Sequence, residues 1–367
     1  MGVALMMARR GLGTTAPNPP VGAVLVEPAT GEVIARGTTA SGGRPHAERI
    51  AIDAAGGRTR GAALYVTLEP CSHQGQTAPC ADAVIAAGIA RVVCAIEDPD
   101  PRVAGRGLDR LRAAGVAVTR GVRAGEAHDV TRGHIARVCE RRPFVQIKMA
   151  LGADGSVPRA QHRQPVFVTS VEARALGHLL RAQADAILVG RVTVEADDPD
   201  LTCRLPGLAQ RSPKRVVLAQ AGLTLSGTRL AANADRVPVM VFTGPDVAGA
   251  AVADMRAAGA NVKASMVVGG ALWLPSVLEA LAADGVTRLL VEGGPAVWRA
   301  FAQAGLVDEV VVFVAGGDGD GLELAGRHLG PLPLVVNDRR RVGPDRVWRL
   351  GMDQQTGSRG RVSWSSL

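Results

Sequence analysis

His46 and Glu48, one residue apart, are followed by Pro70-Cys71 and, after eight intervening residues, by Cys80 with Pro79 before it. One imidazole and two thiolates form a donor set suited to zinc, and three protein ligands leave the fourth tetrahedral position to water. A metal bound with an open position makes water nucleophilic near neutral pH. A carboxylate two residues from the imidazole is suited to moving protons rather than to ligation. Cys80 opens an apolar run beginning at Ala81, where the start of a helix favours a thiolate. Two other readings stand beside this one. His73 could supply a fourth ligand and close the site into a structural one, or the cysteines could be buried and the histidine a surface residue.

The second half of the chain offers anion-friendly features. Val291-Glu292-Gly293-Gly294-Pro295 reads as a strand-to-helix turn whose glycines let backbone amides approach a phosphate. Arg181 and Arg204 are candidates to clamp a phosphate or carboxylate in bidentate fashion. A Gly-x-Gly-x-x-Gly pattern after a strand is missing, which excludes a Rossmann reading.

These residues need elements to position them. Strand patterns at 21–26, 63–68 and 91–96 alternate with helix patterns at 47–55, 81–87 and 107–114, an α/β arrangement with parallel pairing. Glu140-Arg141-Arg142-Pro143 is a charged breaker that predicts a domain boundary. A second series follows, with strands at 144–148, 186–189, 215–218, 237–242, 288–291 and 309–314. Helices are expected at 171–182, 247–258, 274–283 and 296–304. The expected domains are 1–142 and 143–350, and 351–367 reads as a mobile polar tail.

The 367 residues suit two domains, and 47% hydrophobic with 21% charged residues excludes a disordered chain. Only three of the 42 basic residues are lysine and only ten residues are aromatic, so the net charge of +8 is diffuse and base-stacking platforms are lacking. This argues against a dedicated nucleic-acid binder. Five cysteines, an odd number, fit a reducing compartment, and no apolar run is long enough for a membrane span. The expectation is a cytoplasmic enzyme without membrane or nucleic-acid partners.

His-x-Glu with a later pair of cysteines is the signature of zinc-dependent base deaminases, here with a wider cysteine gap. The segments Thr15–Gly22, Pro45–Glu48, Thr67–Cys80, Asp98–Pro101 and Val103–Gly107 resemble the bifunctional riboflavin-biosynthesis deaminase/reductase family, in which the eight-residue gap is distinctive. Phe144–Ala150, Leu180–Gly190, Ala196–Arg204 and Ala304–Glu309 extend the resemblance through the second half.

The resemblance implies a cytidine-deaminase-like three-layer α/β/α domain followed by a dihydrofolate-reductase-like α/β domain. It implies one zinc ion per chain on His46, Cys71 and Cys80, Glu48 as proton shuttle, and Asn18 against a phosphoribosylated pyrimidine. In the reductase half it implies NADPH, contacted by Ala150, Thr193, Asp197 and the turn Gly294, Pro295, Ala296, Val297, Trp298, Arg299 and Ala300. Phe167 stands where the family has a tryptophan. Arg181, Leu201, Arg204 and Glu292 would contact the phosphoribosyl substrate, with Lys148 beside the reacting centre. A homo-oligomer, dimer or tetramer, is also implied. The chain departs from the family at Gln76 and Ala78 in the deaminase half and at 158–167, Ala219 and Gly316-Gly317 in the reductase half, and the substituted 158–167 loop raises a rival expectation, a working deaminase joined to a degenerate reductase.

Overall fold

The computed structural model describes residues 1–74, 78–158, 166–317 and 319–353, so Gln76, much of the 158–167 loop and nearly all of the expected tail lie outside the described residues. The chain forms two compact units. One comprises Met1–Phe144 with the segments Ala182–Asp185 and Leu278–Arg288; the other comprises Val145–Arg181, Ala186–Val277 and the chain from Leu289.

The first unit follows the order α1 (Gly2–Arg10), β1 (Gly22–Val26), β2 (Val33–Thr38), α2 (Ala47–Ala55), β3 (Ala63–Leu68), α3 (Cys80–Ala86), β4 (Arg91–Ile96), α4 (Arg106–Ala113), β5 (Ala117–Arg120) and α5 (Ala124–Glu140). The sheet order is β2-β1-β3-β4-β5. β1 pairs antiparallel with β2 and β3, while β3, β4 and β5 run parallel. Because successive side chains on a strand face opposite ways, β4 serves two layers. Val92 and Cys94 pack with Ala47, Ala51, Ala81, Val84, Leu108 and Leu111 of α2, α3 and α4. Ala95 packs on the other face with Leu5 of α1 and Ala127 of α5. The result is three layers.

Gly37 explains how α2 is seated. A Cβ there would lie 2.1 Å from the Ala47 carbonyl oxygen, so only glycine lets the start of α2 lie against β2. The start of α2 is where His46 and Glu48 reside.

The second unit is built on a larger sheet. Its elements are β6 (Phe144–Leu151), α6 (Val171–Ala182), β7 (Ala186–Gly190), α7 (Arg191–Asp197), β8 (Lys214–Leu218), α8 (Arg229–Ala232), β9 (Val239–Thr243), α9 (Gly249–Ala257) and β10 (Ala260–Ala264). They continue with β11 (Val267–Val268), β12 (Ala271–Leu272), α10 (Leu274–Ala283, which passes into the first unit at Leu278), β13 (Arg288–Val291), α11 (Pro295–Gln303), β14 (Glu309–Val314), α12 (Gly321–Leu329), β15 (Leu334–Val342) and β16 (Asp345–Met352). The strand order is β10-β9-β8-β7-β13-β6-β14-β16-β15. β10, β9, β8, β7 and β13 run parallel, as do β6 and β14, and the β15–β16 hairpin closes that edge antiparallel. Among the described residues no helix is long and apolar enough to cross a membrane.

Most expected elements are present within one or two residues of their bounds. The sequence reading omitted β2, β5, α5, α7, α8, β10, β11, β12, α12, β15 and β16, and two of these omissions have clear physical causes. The buried side of α5 is Ala127, Val130, Thr131, Gly133, His134 and Ala136, which gives little hydrophobic contrast. β15 is almost entirely exposed and carries Asn-Asp-Arg-Arg-Arg. Residues 351 and 352, expected in the tail, end β16.

Gly37→Ala is expected to lower the thermal midpoint of the first unit, since overpacking against backbone costs about 1–3 kcal/mol, and to weaken zinc retention with it. Calorimetry and metal analysis of the same sample check this.

Candidate functional site

In the first unit the site is assembled from three element ends. His46 is the residue before α2 and has extended backbone (φ −71°, ψ 159°), while Glu48 lies in the first turn of α2. Cys71 follows β3 by three residues, and Cys80 begins α3. Ligands placed just beyond strand carboxyl ends and at helix starts are typical of open α/β sheets.

His46 Nδ1 lies 3.3 Å from Cys80 Sγ and 3.6 Å from Cys71 Sγ. All three ligand atoms lie within 4.8 Å of one another. A tetrahedral zinc with ordinary Zn–N and Zn–S bonds needs N···S edges of about 3.6 Å, so these residues fit the ion. Cys80 N donates to Cys71 Sγ at 3.3 Å. The Cys71 thiol is pushed down to about 4, chiefly by the hydrogen bond from the Cys80 thiol, and the same bond together with burial pushes Cys80 up. The His46 imidazole is pushed up, chiefly by its bond to Cys71.

Glu48 is buried, and burial raises its carboxyl to about 7 against the opposing pull of His46. It lines a small cavity of about 100 Å³ together with Asn18, Arg44, His46, Cys71 and His73. Asn18 Nδ2 donates to Gly43 O at 2.8 Å, which fixes the side chain at the rim. His73 shares the cavity but is not in the ligand group, and its Nδ1 is buried without a partner. The set is therefore open rather than closed among the described residues.

Sequence reasoning missed the wall of this cavity. Glu69 accepts backbone N–H bonds from Asp98, Gly105, Gly107 and Leu108 at 2.8–3.2 Å, which pins the 98–108 loop to the end of β3. Asp98 Oδ1 accepts from Asp100 N and pairs with His134 Nε2, both at 3.0 Å. Glu69 and Asp98 stand in the motif segments, but no spacing signal joins His134 to them.

In the second unit Lys148, Ala150, Phe167, Arg181, Thr193, Asp197, Leu201, Arg204 and Glu292 all line one cleft of about 1330 Å³. From the α11 turn, Gly294, Pro295, Trp298 and Arg299 line it too, whereas Ala296, Val297 and Ala300 do not. With 3.6 residues per turn, positions 298 and 299 return to the face of 294 and 295, and the residues between cannot. Gly294 N donates to Thr193 Oγ1 at 3.2 Å, joining α11 to α7. Gly293 has to be glycine, because a Cβ would lie 2.9 Å from Gly190 N and Val189 Cα.

The electrostatic centre of the cleft is Glu292. Arg181 Nε and NH2 each donate to one of its oxygens at 2.8 Å, and Arg181 NH1 donates to Thr202 O at 3.0 Å. The expected bidentate clamp of Arg181 thus grips Glu292, whereas Arg204, which also lines the cleft, is half exposed. Lys148 Nζ lies 3.8 Å from Glu292 Oε2 and 5.8 Å above the Phe313 ring. Burial would raise the Glu292 carboxyl, but Arg181 and Lys148 overcome it and hold it at about 2. His178, overlooked in the sequence, is pushed down to about 4 by burial and by Arg181 and Arg204. Its neutral Nδ1 accepts from Arg204 N at 3.3 Å. Trp298 Nε1 is buried and without a partner, and its ring meets His328 edge-on at 6.0 Å. An orphaned donor beside a helix start, in a cleft this large, suits a dinucleotide and a substrate together.

Residues 1–96 match the family described as the cytidine and deoxycytidylate deaminase zinc-binding region, and 143–317 match the RibD C-terminal domain. Riboflavin biosynthesis protein RibD of Escherichia coli is 38% identical over 94% of this chain and 96% of its own length. That of Aquifex aeolicus is 37% identical over 96% and 95%. The chain belongs to the RibD family.

Among solved structures, the diaminohydroxyphosphoribosylaminopyrimidine deaminase/5-amino-6-(5-phosphoribosylamino)uracil reductase of Thermotoga maritima superposes with a TM-score of 0.80, at 33% identity and covering 96% of this chain and 97% of that one. RibD of Acinetobacter baumannii gives 0.80 at 30% identity, covering 96% and 98%. The chain is a bifunctional pyrimidine deaminase and reductase of riboflavin biosynthesis, with zinc and NADPH as its cofactors. The rival expectation, a degenerate reductase half, finds no support in these matches.

Cys71→Ala is expected to drop bound zinc from about one per chain to background, and His73→Ala to leave it in place; metal analysis after dialysis checks both. The Glu292 carboxyl, depressed in the fold, contributes stability that is complete above its unfolded pKa of about 4.5 and is lost as pH falls towards 2. Thermal midpoints at pH 6 and pH 3 should therefore fall further in the parent than in Glu292→Gln.

Proposed function

We propose that the first unit hydrolyses the 2-amino group of 2,5-diamino-6-(5-phosphoribosylamino)pyrimidin-4-one, and that the second reduces the ribosyl side chain of the product to ribityl. The observation that carries the reading is the meeting of His46, Cys71 and Cys80, two of which, His46 and Cys71, line one small cavity with a buried Glu48. His46, Cys71 and Cys80 hold the zinc. When bound, zinc supplies a Lewis acid that polarises water. Glu48, whose raised carboxyl exchanges protons near neutrality, takes a proton from the attacking water and passes it to the leaving amine. Asn18 orients the pyrimidine at the rim.

In the second unit Lys148 stands beside the reacting carbon as a cation held by Glu292. Leu201 and Arg204 meet the phosphoribosyl group, and Arg181 acts on it by fixing Glu292. Ala150, Phe167, Thr193, Asp197, Gly294, Pro295, Trp298 and Arg299 hold NADPH, which supplies the reducing equivalent; Ala296, Val297 and Ala300 support that turn from behind. A homo-oligomer, dimer or tetramer, is supported by the exposed edge strand β15, where Val335 and Val336 are open to contact. The five unpaired cysteines support a cytoplasmic location.

A turnover assay on the zinc-loaded chain, reading ammonia and NADPH separately, tests both steps. Both signals are expected. Glu48→Ala should keep its zinc, lose ammonia release by on the order of 10²–10⁴-fold, and still oxidise NADPH when given the deaminated pyrimidine. Neither signal from the zinc-loaded parent would overturn the reading.

A further inference from the structure

Arg215 in β8 is wholly buried, yet neither site uses it. Burial pushes its guanidinium down to about 10. A buried cation is costly unless polar groups surround it, and here those groups come from two loops. NH1 donates to Asn233 Oδ1 and, at 3.4 Å, to Asp200 O. NH2 donates to Val237 O and, at 3.2 Å, to Asn233 O. The Asp200 carboxylate lies 4.0 Å from NH1. Asn233 Nδ2 completes the net by donating to Asp200 Oδ1 at 2.8 Å, and Thr202 Oγ1 donates to the other Asp200 oxygen.

The segment held in this way is the one that carries Leu201 and Arg204. Its backbone is unusual, since Asp198 and Leu201 are left-handed, with φ of 40° and 58°. Non-glycine residues persist in that region only when their surroundings over-determine them. Arg181 NH1 holds the segment at Thr202 O, and Arg215 holds it at Asp200. A methionine in place of Arg215 would fill the space but leave Asp200 O, Asn233 Oδ1 and Val237 O without this donor, while Asn233 O keeps its bonds from Arg236 N and Val237 N. Part-buried acceptors that lose a donor turn towards water, and the segment would relax with them.

We propose that Arg215 is a positioning residue of the reductase site, fixing 198–204 through Asp200 and Asn233 so that Leu201 and Arg204 meet the pyrimidine substrate. The inference rests on the reading of Leu201 and Arg204 as substrate contacts. The test uses the full chain and NADPH oxidation with the deaminated phosphoribosylaminouracil as varied substrate, with ammonia release in the same preparation as internal control. Arg215→Met should raise the KM for the pyrimidine on the order of tenfold to a hundredfold, leave the KM for NADPH and ammonia release unchanged, and be partly rescued in Arg215→Lys. Asn233→Ala, which keeps the arginine, should raise the same KM by less, and it decides the matter if Arg215→Met fails to fold. An unchanged pyrimidine KM in Asn233→Ala and in every folded Arg215 variant, with only a lower melting temperature, would overturn the positioning role. Arg204→Gln separates the two layers: no rise in KM there would overturn the substrate-contact reading, and the proposal with it.

Discussion

Three ligand atoms from residues 46, 71 and 80 must meet within a few ångströms, and much of the first unit follows from that requirement. The imidazole is placed by the start of α2, which can lie against β2 only because Gly37 lacks a side chain. The thiolates are placed by the end of β3 and the start of α3, and the bond from Cys80 N to Cys71 Sγ ties one to the other. Glu69 turns the next loop back onto the same strand end through four backbone bonds, so the cavity wall is fixed by the strand that carries the ligands. Burial then gives Glu48 a carboxyl able to both accept and release a proton.

The second unit solves a different problem, placing charge around an open cleft without losing it to solvent. Glu292 would be expensive to bury alone. Its two bonds from Arg181 compensate, leave Lys148 within reach, and make the ion pair a fixed point between α6 and the turn after β13. Arg204 is kept half exposed beside it, with its backbone tied to a neutral His178.

The zinc ligands, Glu48 and the parallel core strands were legible because each has a local signature: a ligand pair at short spacing, or a run of apolar β-branched residues. Arg181, Arg204 and the turn at Glu292 offered anion-friendly chemistry, but the other cleft residues and their meeting in one place were legible only through the family resemblance, since Lys148 and Glu292 lie 144 positions apart and no periodicity connects them. Arg181 illustrates the limit. The sequence offers a guanidinium suited to anions, and the fold spends it on Glu292 and Thr202. His134, His178 and Arg215 were invisible for the same reason, as their partners come from distant loops. Helix α5 was hidden by a buried face of small and polar residues, and β15 by its exposure.

The central claim is an open zinc site with one imidazole and two thiolate ligands. X-ray absorption at the zinc edge on the intact, zinc-loaded chain measures this most directly. The account predicts two sulfur scatterers at about 2.3 Å and two nitrogen or oxygen scatterers near 2.0 Å, one of them exchangeable, with a spectrum unchanged by His73→Ala. A first shell that includes a second imidazole lost in His73→Ala, or only one sulfur, would contradict it.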